Sequence, residues 1–552
     1  MATDRRVVGR RWAEAGVVAA GLSAAMLGGA GAAAAAPADS GHDSAAVSSD
    51  HAGGSSQATT SRHSQPRAAA SAARSAAHPA AASSRARATG AQARVVLTTP
   101  SATASVKTAT TTAAAARQAP QAAAKFSFVG PVRAALLASQ AYIYGYPLME
   151  YERVRQTVPD LNTIYSLTSF ANPDVDPIWT AIGGGKRPNT DTFYSLAELD
   201  LSNGPVVLSI PDMGTRYYSF QLTDPYTNVV DYIGSRTTAS DPGKYAIVWT
   251  GGPSGPIPAD ATVVNVPYSS ILMLGRTLAG DAADQQQAID LIKQYSLTPA
   301  GGPPPVTPQP KPGLSYLDAI SAAMTTNPPP AQDDPKLAKL AKIGVGPNLT
   351  VADAGLGPLA RLSAGLAVKL TAALLPTLAQ LQQLVSAVQN KGWAIPDSSI
   401  GDFGTNYLLR AGVAEVGLIA NTPEEAMYSS ALLDSHLLPL DGCNTYVLHF
   451  APNEAPPTDA FWSVTVYDKN GYLVQNPENK YSVSSSRPNE LVTRADGSID
   501  IIFSRTDPGD PTANWLPIPK GSFGVYLRNY VPQQAALDGS WTPPGIKRVR
   551  RL

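Results

Sequence analysis

The chain has 552 residues, too many for one ordinary hydrophobic core, and this length sets an expectation of roughly two to four domains. Lys+Arg and Asp+Glu balance at 42 each, which removes whole-chain electrostatic steering toward nucleic acid or an anionic bilayer. The single cysteine, Cys443, excludes an intramolecular disulfide and reads as a small buried thiol, and 48 prolines with 45 glycines favour many turns.

In chain order, Arg5, Arg6, Arg10 and Arg11 precede a weakly apolar Ala/Gly/Val/Leu run and then small residues near Ala34 to Ala38. This is the order of a secretory signal, assigned to residues 1–36, and the Arg10-Arg11 pair also suits twin-arginine export. Residues 37–125 are nearly all Ala, Ser, Thr, Gln and Arg, too poor in large apolar side chains to offset their ordering entropy. A disordered tether is expected there. Its arginines leave two readings open, a soluble spacer or adhesion to an anionic cell-wall polymer. The tract's histidines, His42, His51, His63 and His78, are irregularly spaced and make no metal motif. The expected location is secreted or associated with the cell envelope.

The globular body begins with a helix from Pro131, expected to end around Gly145-Tyr146-Pro147. Short strands follow at Pro205 to Pro211, Arg216 to Leu222, Tyr245 to Trp249 and Ala261 to Val266. In the second of these, Tyr218, Phe220 and Leu222 point one way and Tyr217, Ser219 and Gln221 the other. A helix is predicted over Asp281 to Tyr295, then a Pro-rich connection over 298–350. Helical signals dominate 351–433, where Leu362, Leu366, Leu370 and Leu374 share a face and Pro376 should kink or split the helix. Thr422-Pro423-Glu424-Glu425 has the pattern of a capping box opening another helix. No stretch reads as a stable transmembrane span. Leu359 to Val388 comes nearest, interrupted by Arg361, Lys369 and several glutamines. The C-terminal part returns to strands at Tyr446 to Phe450, around Trp462-Val464-Val466, at Ile499 to Phe503 and at Phe523 to Tyr530. Asp468-Lys469-Asn470-Gly471 is a tight turn among them. The fold class is therefore mostly β with a helical insert (α+β). Two antiparallel β-sandwich or jelly-roll-like domains, 126–297 and 434–552, are joined by a helical segment.

The N-terminal motifs are Ala141-Tyr142-Ile143-Tyr144-Gly145-Tyr146-Pro147, Pro188-Asn189-Thr190-Asp191-Thr192-Phe193-Tyr194-Ser195, Arg216-Tyr217-Tyr218 and Gly275-Arg276-Thr277. The C-terminal motifs are Tyr446-Val447-Leu448-His449-Phe450, Ala460-Phe461-Trp462-Ser463, Asn476-Pro477, Asn514-Trp515-Leu516-Pro517 and Leu527-Arg528-Asn529-Tyr530. In this order they resemble a bacterial family with paired domains of unknown function, 1254 at the N-terminal side and 1214 at the C-terminal side. The resemblance covers nearly everything after residue 130. It implies two β-rich domains with a helical segment between them, often in an exported protein, and no settled reaction. The Ala/Ser-rich tract lies outside the family pattern.

The chemistry-bearing residues narrow the classes. The body holds only His436 and His449, with no HExxH or paired cysteines, which disfavours a zinc centre. Asp224, Asn228 and Asp231 read as a turn before they read as a calcium site. No G-x-S-x-G elbow is present. Cys443 and His449, if on one strand, lie about 20 Å apart, too far to share a proton. Arg216, Arg276, Arg410 and Arg528 each sit inside an apolar or aromatic element, where a guanidinium needs a partner. Two readings stay open: internal ion pairs, or a cleft for a carboxylate, sulfate or acidic sugar lined by Asn189, Tyr217, Arg276, Tyr407, Arg410, Trp515 and Arg528. Trp462 reads as core, whereas Trp515 reads as a loop residue able to stack on a ligand. The functional expectation is binding of a polar or anionic small molecule or glycan in an inter-domain cleft. The alternative is a hydrolase or lyase in that cleft with Asp191, Tyr194 and Arg216 near the chemistry. No cofactor is indicated.

Overall fold

The computed structural model describes residues 129–173 and 186–549. The signal segment and the tether lie outside the described residues.

The body is built from two sandwiches. In the N-terminal one, a five-stranded sheet runs in the order β1 (Tyr165–Ser166), β2 (Thr192–Asp200), β8 (Ser270–Leu278), β4 (Tyr218–Thr223), β5 (Val229–Gly234). It packs on a second sheet ordered β7 (Ala261–Val266), β6 (Gly243–Trp249), β3 (Val206–Ile210), β9 (Ser296–Thr298). Phe193, Phe220, Leu208 and Ile247 fill the space between them, all fully buried. The C-terminal sandwich repeats the plan. Its inner sheet is β10 (Trp393–Ala394), β11 (Ala426–Ala431), β17 (Phe523–Pro532), β13 (Thr458–Asp468), β14 (Ser482–Ser484). Its outer sheet is β16 (Asn514–Pro517), β15 (Ile499–Ser504), β12 (Thr445–Phe450), β18 (Lys547–Val549). The pairing is antiparallel except for β6 with β7 and β15 with β16. Trp462 belongs to this second core, against Phe450.

Strand period dictates the faces. On β4, Tyr218, Phe220 and Leu222 enter the sandwich core, while Tyr217, Ser219, Gln221 and Thr223 face the other way. That second face is buried too, because a helical layer and the C-terminal sandwich cover it. A sheet covered on both sides has room for polar side chains only if they are hydrogen-bonded.

The helical layer contains α1 (Pro131–Arg155), α3 (Leu314–Thr326), α5 (Pro358–Gln389) and α6 (Tyr407–Gly417), with α2 (Ala282–Ile292) and α4 (Asp334–Leu340) elsewhere along the chain. Three expectations change here. Helix α1 does not stop at Pro147 but continues to Arg155. Gly145 serves a close approach instead, since a Cβ there would lie 2.5 Å from the buried Ile320 side chain of α3. Pro376 does not split α5, which runs unbroken for 32 residues. Thr422-Pro423-Glu424-Glu425 makes a single turn, with Glu425 and Ala426 N–H groups donating to Thr422 O, and then enters β11 rather than a helix. Among the described residues α5 is the one helix long and apolar enough to cross a membrane by those criteria. Its Ala364, Val368, Thr371 and Leu375 face is buried in the helical layer, where Thr371 donates to Ser139 of α1 at 2.9 Å or accepts from it.

Candidate binding site between the sandwiches

The central strands β8 and β17 each place one arginine on the polar face of their sheet. Arg276 stands opposite Tyr194 on β2 and Ser219 on β4. Arg528 stands opposite Tyr428 on β11 and Ser463 on β13. Both guanidinium-bearing residues are buried, at 4% and 3% exposure, and both line a cavity of about 690 Å³. Tyr194, Tyr428, Tyr526, Tyr530, Asn189 and Asn421 line it with them.

The partners of these arginines are neutral. Arg276 donates from Nη1 to Gln221 Oε1 at 2.9 Å and Asn421 Oδ1 at 2.8 Å, and from Nη2 to Ile419 O at 2.9 Å. Arg528 donates from Nη1 to Thr465 Oγ1 at 3.1 Å, and from Nη2 to Arg187 O and Tyr467 Oη, both at 2.7 Å. Each arginine thus spends three of five N–H donors on neutral oxygens and keeps two. Neither has an ion-pair partner among the described residues. The rings of Tyr428, Tyr467 and Tyr526 surround the Arg528 guanidinium with centroids 5.6 to 5.9 Å away, a cation–π setting.

The tyrosines add donors. Tyr428 Oη accepts from Asn421 Nδ2 at 2.6 Å, and Tyr530 Oη accepts from Asn189 Nδ2 at 2.9 Å. Each phenol accepts in its bond and retains its own proton. Burial raises the Tyr428 hydroxyl against the opposing pull of Arg276, and it raises Tyr530 well above the ordinary phenol range. Both stay protonated at neutral pH and can donate. Asn421 ties the two sheets together, because its Oδ1 receives Arg276 while its Nδ2 reaches Tyr428.

One segment stitches the sandwiches. Arg187 is in the left-handed region at φ 55°, its N–H donates to Gly471 O at 2.7 Å, and its carbonyl receives Arg528. Pro188 O accepts from Tyr467 Oη, Asn189 reaches Tyr530, and Thr190 donates to Ser482 Oγ at 2.7 Å. Asp191, fully buried, receives Arg487 Nη1 at 3.2 Å. Nearby, Phe461 stacks on Tyr530 at 4.2 Å, with Tyr217 edge-on to both.

The structure therefore brings Asn189, Tyr194, Arg276 and Arg528 to one cavity wall. Asp191, Arg216, Tyr217, Tyr407, Arg410 and Trp515 stand outside the lining. Arg216 is held by Asp284 of α2 in a two-pronged pair at 2.8 and 2.6 Å, and it also donates to Leu278 O. Tyr217 donates to Glu425 Oε1 at 2.6 Å, and Tyr407 donates to Asp333 Oδ1 at 2.7 Å. Arg410 is 1% exposed and donates to Gly404 O at 2.8 Å, leaving Nε and Nη1 without a hydrogen-bond partner. Trp515 is not in a loop; it lies in β16, and its indole N–H donates to Ser504 O at 3.1 Å. Cys443 is exposed rather than buried. Asp224 Oδ1 accepts the N–H groups of Tyr226 and Asn228, an Asx-type turn, and no group of three metal-ligating side chains occurs among the described residues. Sequence reasoning missed Tyr428, Tyr530 and Asn421 as site residues.

A buried acid lies on the same sheet face, toward α1. Glu198 Oε1 accepts from Tyr151 Oη at 2.8 Å and from Ser270 Oγ, Arg155 Nε is 3.6 Å away, and Oε2 has no partner. Burial pushes this carboxyl up to about 7, against the lowering influence of Ser270, Arg155 and Tyr151.

Fold and site together define a two-sandwich protein with a cation-lined cavity between its domains. Residues 156–299 match the family described as Protein of unknown function (DUF1254), and residues 425–534 match Protein of unknown function (DUF1214). The two models match in the N- to C-terminal order expected from the motifs. The solved structure of the VPA0106 protein from Vibrio parahaemolyticus is similar at 24% identity over 76% of this chain and 100% of that one, with a TM-score of 0.55, a likeness of fold. An uncharacterised protein from Burkholderia cenocepacia aligns over 74% of this chain and 88% of its own at 14% identity and a TM-score of 0.39. No curated protein matches the chain.

Proposed function

We propose that the protein is an exported binding protein that takes a small anionic molecule into the cavity between its two sandwiches. One observation carries the reading: Arg276 and Arg528 are buried on the cavity wall with neutral partners only. Two buried guanidinium groups without an ion-pair partner are costly, and an anionic ligand would supply the compensation. The lining strengthens the argument, because Arg187 adds positive charge, Lys186 is paired with Glu415 at 3.8 Å, and the exposed Asp397 is the one carboxylate among the lining residues. A lining with a single carboxylate gives little support to a hydrolase or lyase that works through a carboxyl pair. Export rests on the Arg-led, Ala-rich N-terminal segment of the sequence.

The test is a melting-temperature series with acetate, sulfate, phosphate and glucuronate. At least one anion should raise the melting temperature saturably in the unaltered protein, and Arg276→Gln combined with Arg528→Gln should remove the rise. A protein indifferent to all anions, or a double variant that responds like the parent, overturns the reading.

A further inference from the structure

The two halves of the cavity wall differ in kind. The sheet side carries Arg276, Arg528, Tyr194, Tyr428, Tyr530 and Asn421. The facing side comes from α5, α6 and the segment between them. It presents Leu378, Leu381, Val385, Ile395, Val413 and Val416, with no acid or base on either helix's share of the lining. These aliphatic side chains are not sealed into the helical core: Val385 is 61% exposed, and the other five are half-buried. Part of the helical layer thus turns an apolar surface toward a space whose opposite wall is donor-rich.

Resting on the anion-binding reading above, we infer that the ligand is an amphipathic carboxylate: a compact anionic head on an unbranched or weakly branched aliphatic body. The head lies against the sheets. Two N–H donors left on each arginine and the phenol protons of Tyr428 and Tyr530 are more than enough for the roughly four lone-pair sites of one carboxylate, with no acid among the sheet-side lining residues competing for them. The body lies against α5 and α6, where it removes aliphatic surface from water. A cavity of about 690 Å³ has room for both parts. A strongly polar anion such as an acidic sugar would satisfy the arginines but find only Gln382, Gln383 and Ser386 as hydrogen-bonding partners on α5, among leucines and valines that offer none.

The experiment is calorimetric titration with the straight-chain carboxylates from butyrate to decanoate, with glucuronate and citrate as polar anions and decyl alcohol as an uncharged chain. Affinity should rise two- to fourfold per added methylene, the gain expected for partly to fully buried methylenes. Val385→Ser with Val413→Ser should flatten that slope, and an undiminished slope overturns the placement of the chain against α5 and α6. Arg276→Gln with Arg528→Gln should weaken every carboxylate by at least tenfold. A flat chain-length series, or tighter binding of glucuronate than of decanoate, overturns the amphipathic ligand and leaves anion binding standing. Equal decanoate binding by the arginine double variant places the chain elsewhere and overturns it as well. Failure of every anion to bind the unaltered protein removes both readings.

Discussion

Two pairs of arginines in this molecule differ in what neutralises them. Arg216 and Arg487 are half-buried just outside β4 and β14 and meet carboxylates, Asp284 at 2.6 Å and Asp191 at 3.2 Å. Arg276 and Arg528 sit on the central strands and meet amides, hydroxyls and carbonyls. The first pair closes its electrostatics inside the fold and serves to dock a helix and to join two domains. The second pair is held in place without being neutralised, and it borders open space. What separates the two pairs is the partner's charge and the neighbouring space, and that contrast is what makes Arg276 and Arg528 the candidates for ligand binding.

Three variants can break or sharpen that contrast. The largest effect is expected for Asp191→Ala, which leaves Arg487 with the exposed Glu490 as its one remaining carboxylate and removes a seam between the sandwiches. Breaking a buried pair on one side should cost about 3 kcal/mol, measured by urea unfolding. A cost under about 1 kcal/mol would mean that the Arg487–Asp191 contact does not hold the domains.

Next is Glu198→Gln, at a buried carboxyl whose nearest cation is Arg155 at 3.6 Å. The Glu198 carboxyl stands at about 7 when folded, against 4.5 as its ordinary value. A raised carboxyl binds its proton more tightly in the folded state, so its stability contribution is present below pH 4.5 and fades as pH rises through 7. The fall between pH 5 and 8 should be about 2 kcal/mol from this group, and Glu198→Gln should flatten it. Asp224, pushed by burial up to about 6, titrates in the same direction and should leave a residual slope. An unchanged pH profile in Glu198→Gln would show that the group is not titrating there.

The smallest effect belongs to Arg216→Ala. Asp284 is about one-third exposed, so the lost pair should cost only about 1 kcal/mol after solvent screening. Burial of Asp284 opposes the Arg216 hydrogen bond that lowers its carboxyl, so stability in the unaltered protein should fall as pH drops below the ordinary aspartate range. Anion-induced stabilisation should be untouched, which separates this arginine from Arg276 by a single titration.

Much of this arrangement is readable from residue order. Alternation along Arg216 to Leu222 assigns the two faces of β4 correctly because a half-polar strand has a period of two. An arginine in an aromatic or apolar run marks Arg276 and Arg528 as buried charges. The same local signature marks Arg216, and nothing nearby distinguishes it, since Asp284 arrives 68 residues later on another element. Tyr428 was hidden for a different reason. Thr422 to Glu425 has the chemistry of a helix start, yet the next six residues pair with β17. Tertiary pairing outweighs the local preference, and the misread strand carries Tyr428 into the site. Trp515 was misplaced in the same way, by a short edge strand with no alternation of its own.

The segment from Lys186 to Thr192 has two occupations. It joins one sandwich to the other through Arg187, Pro188, Asn189 and Thr190, and it forms part of the cavity wall through Lys186, Arg187, Pro188 and Asn189. Domain cohesion and cavity occupancy therefore draw on the same few atoms, and thermodynamic reciprocity follows. An anion that tightens around Asn189 and Arg528 would make the sandwiches melt as one cooperative body, and any change that loosens the join would be felt as weaker affinity for that anion.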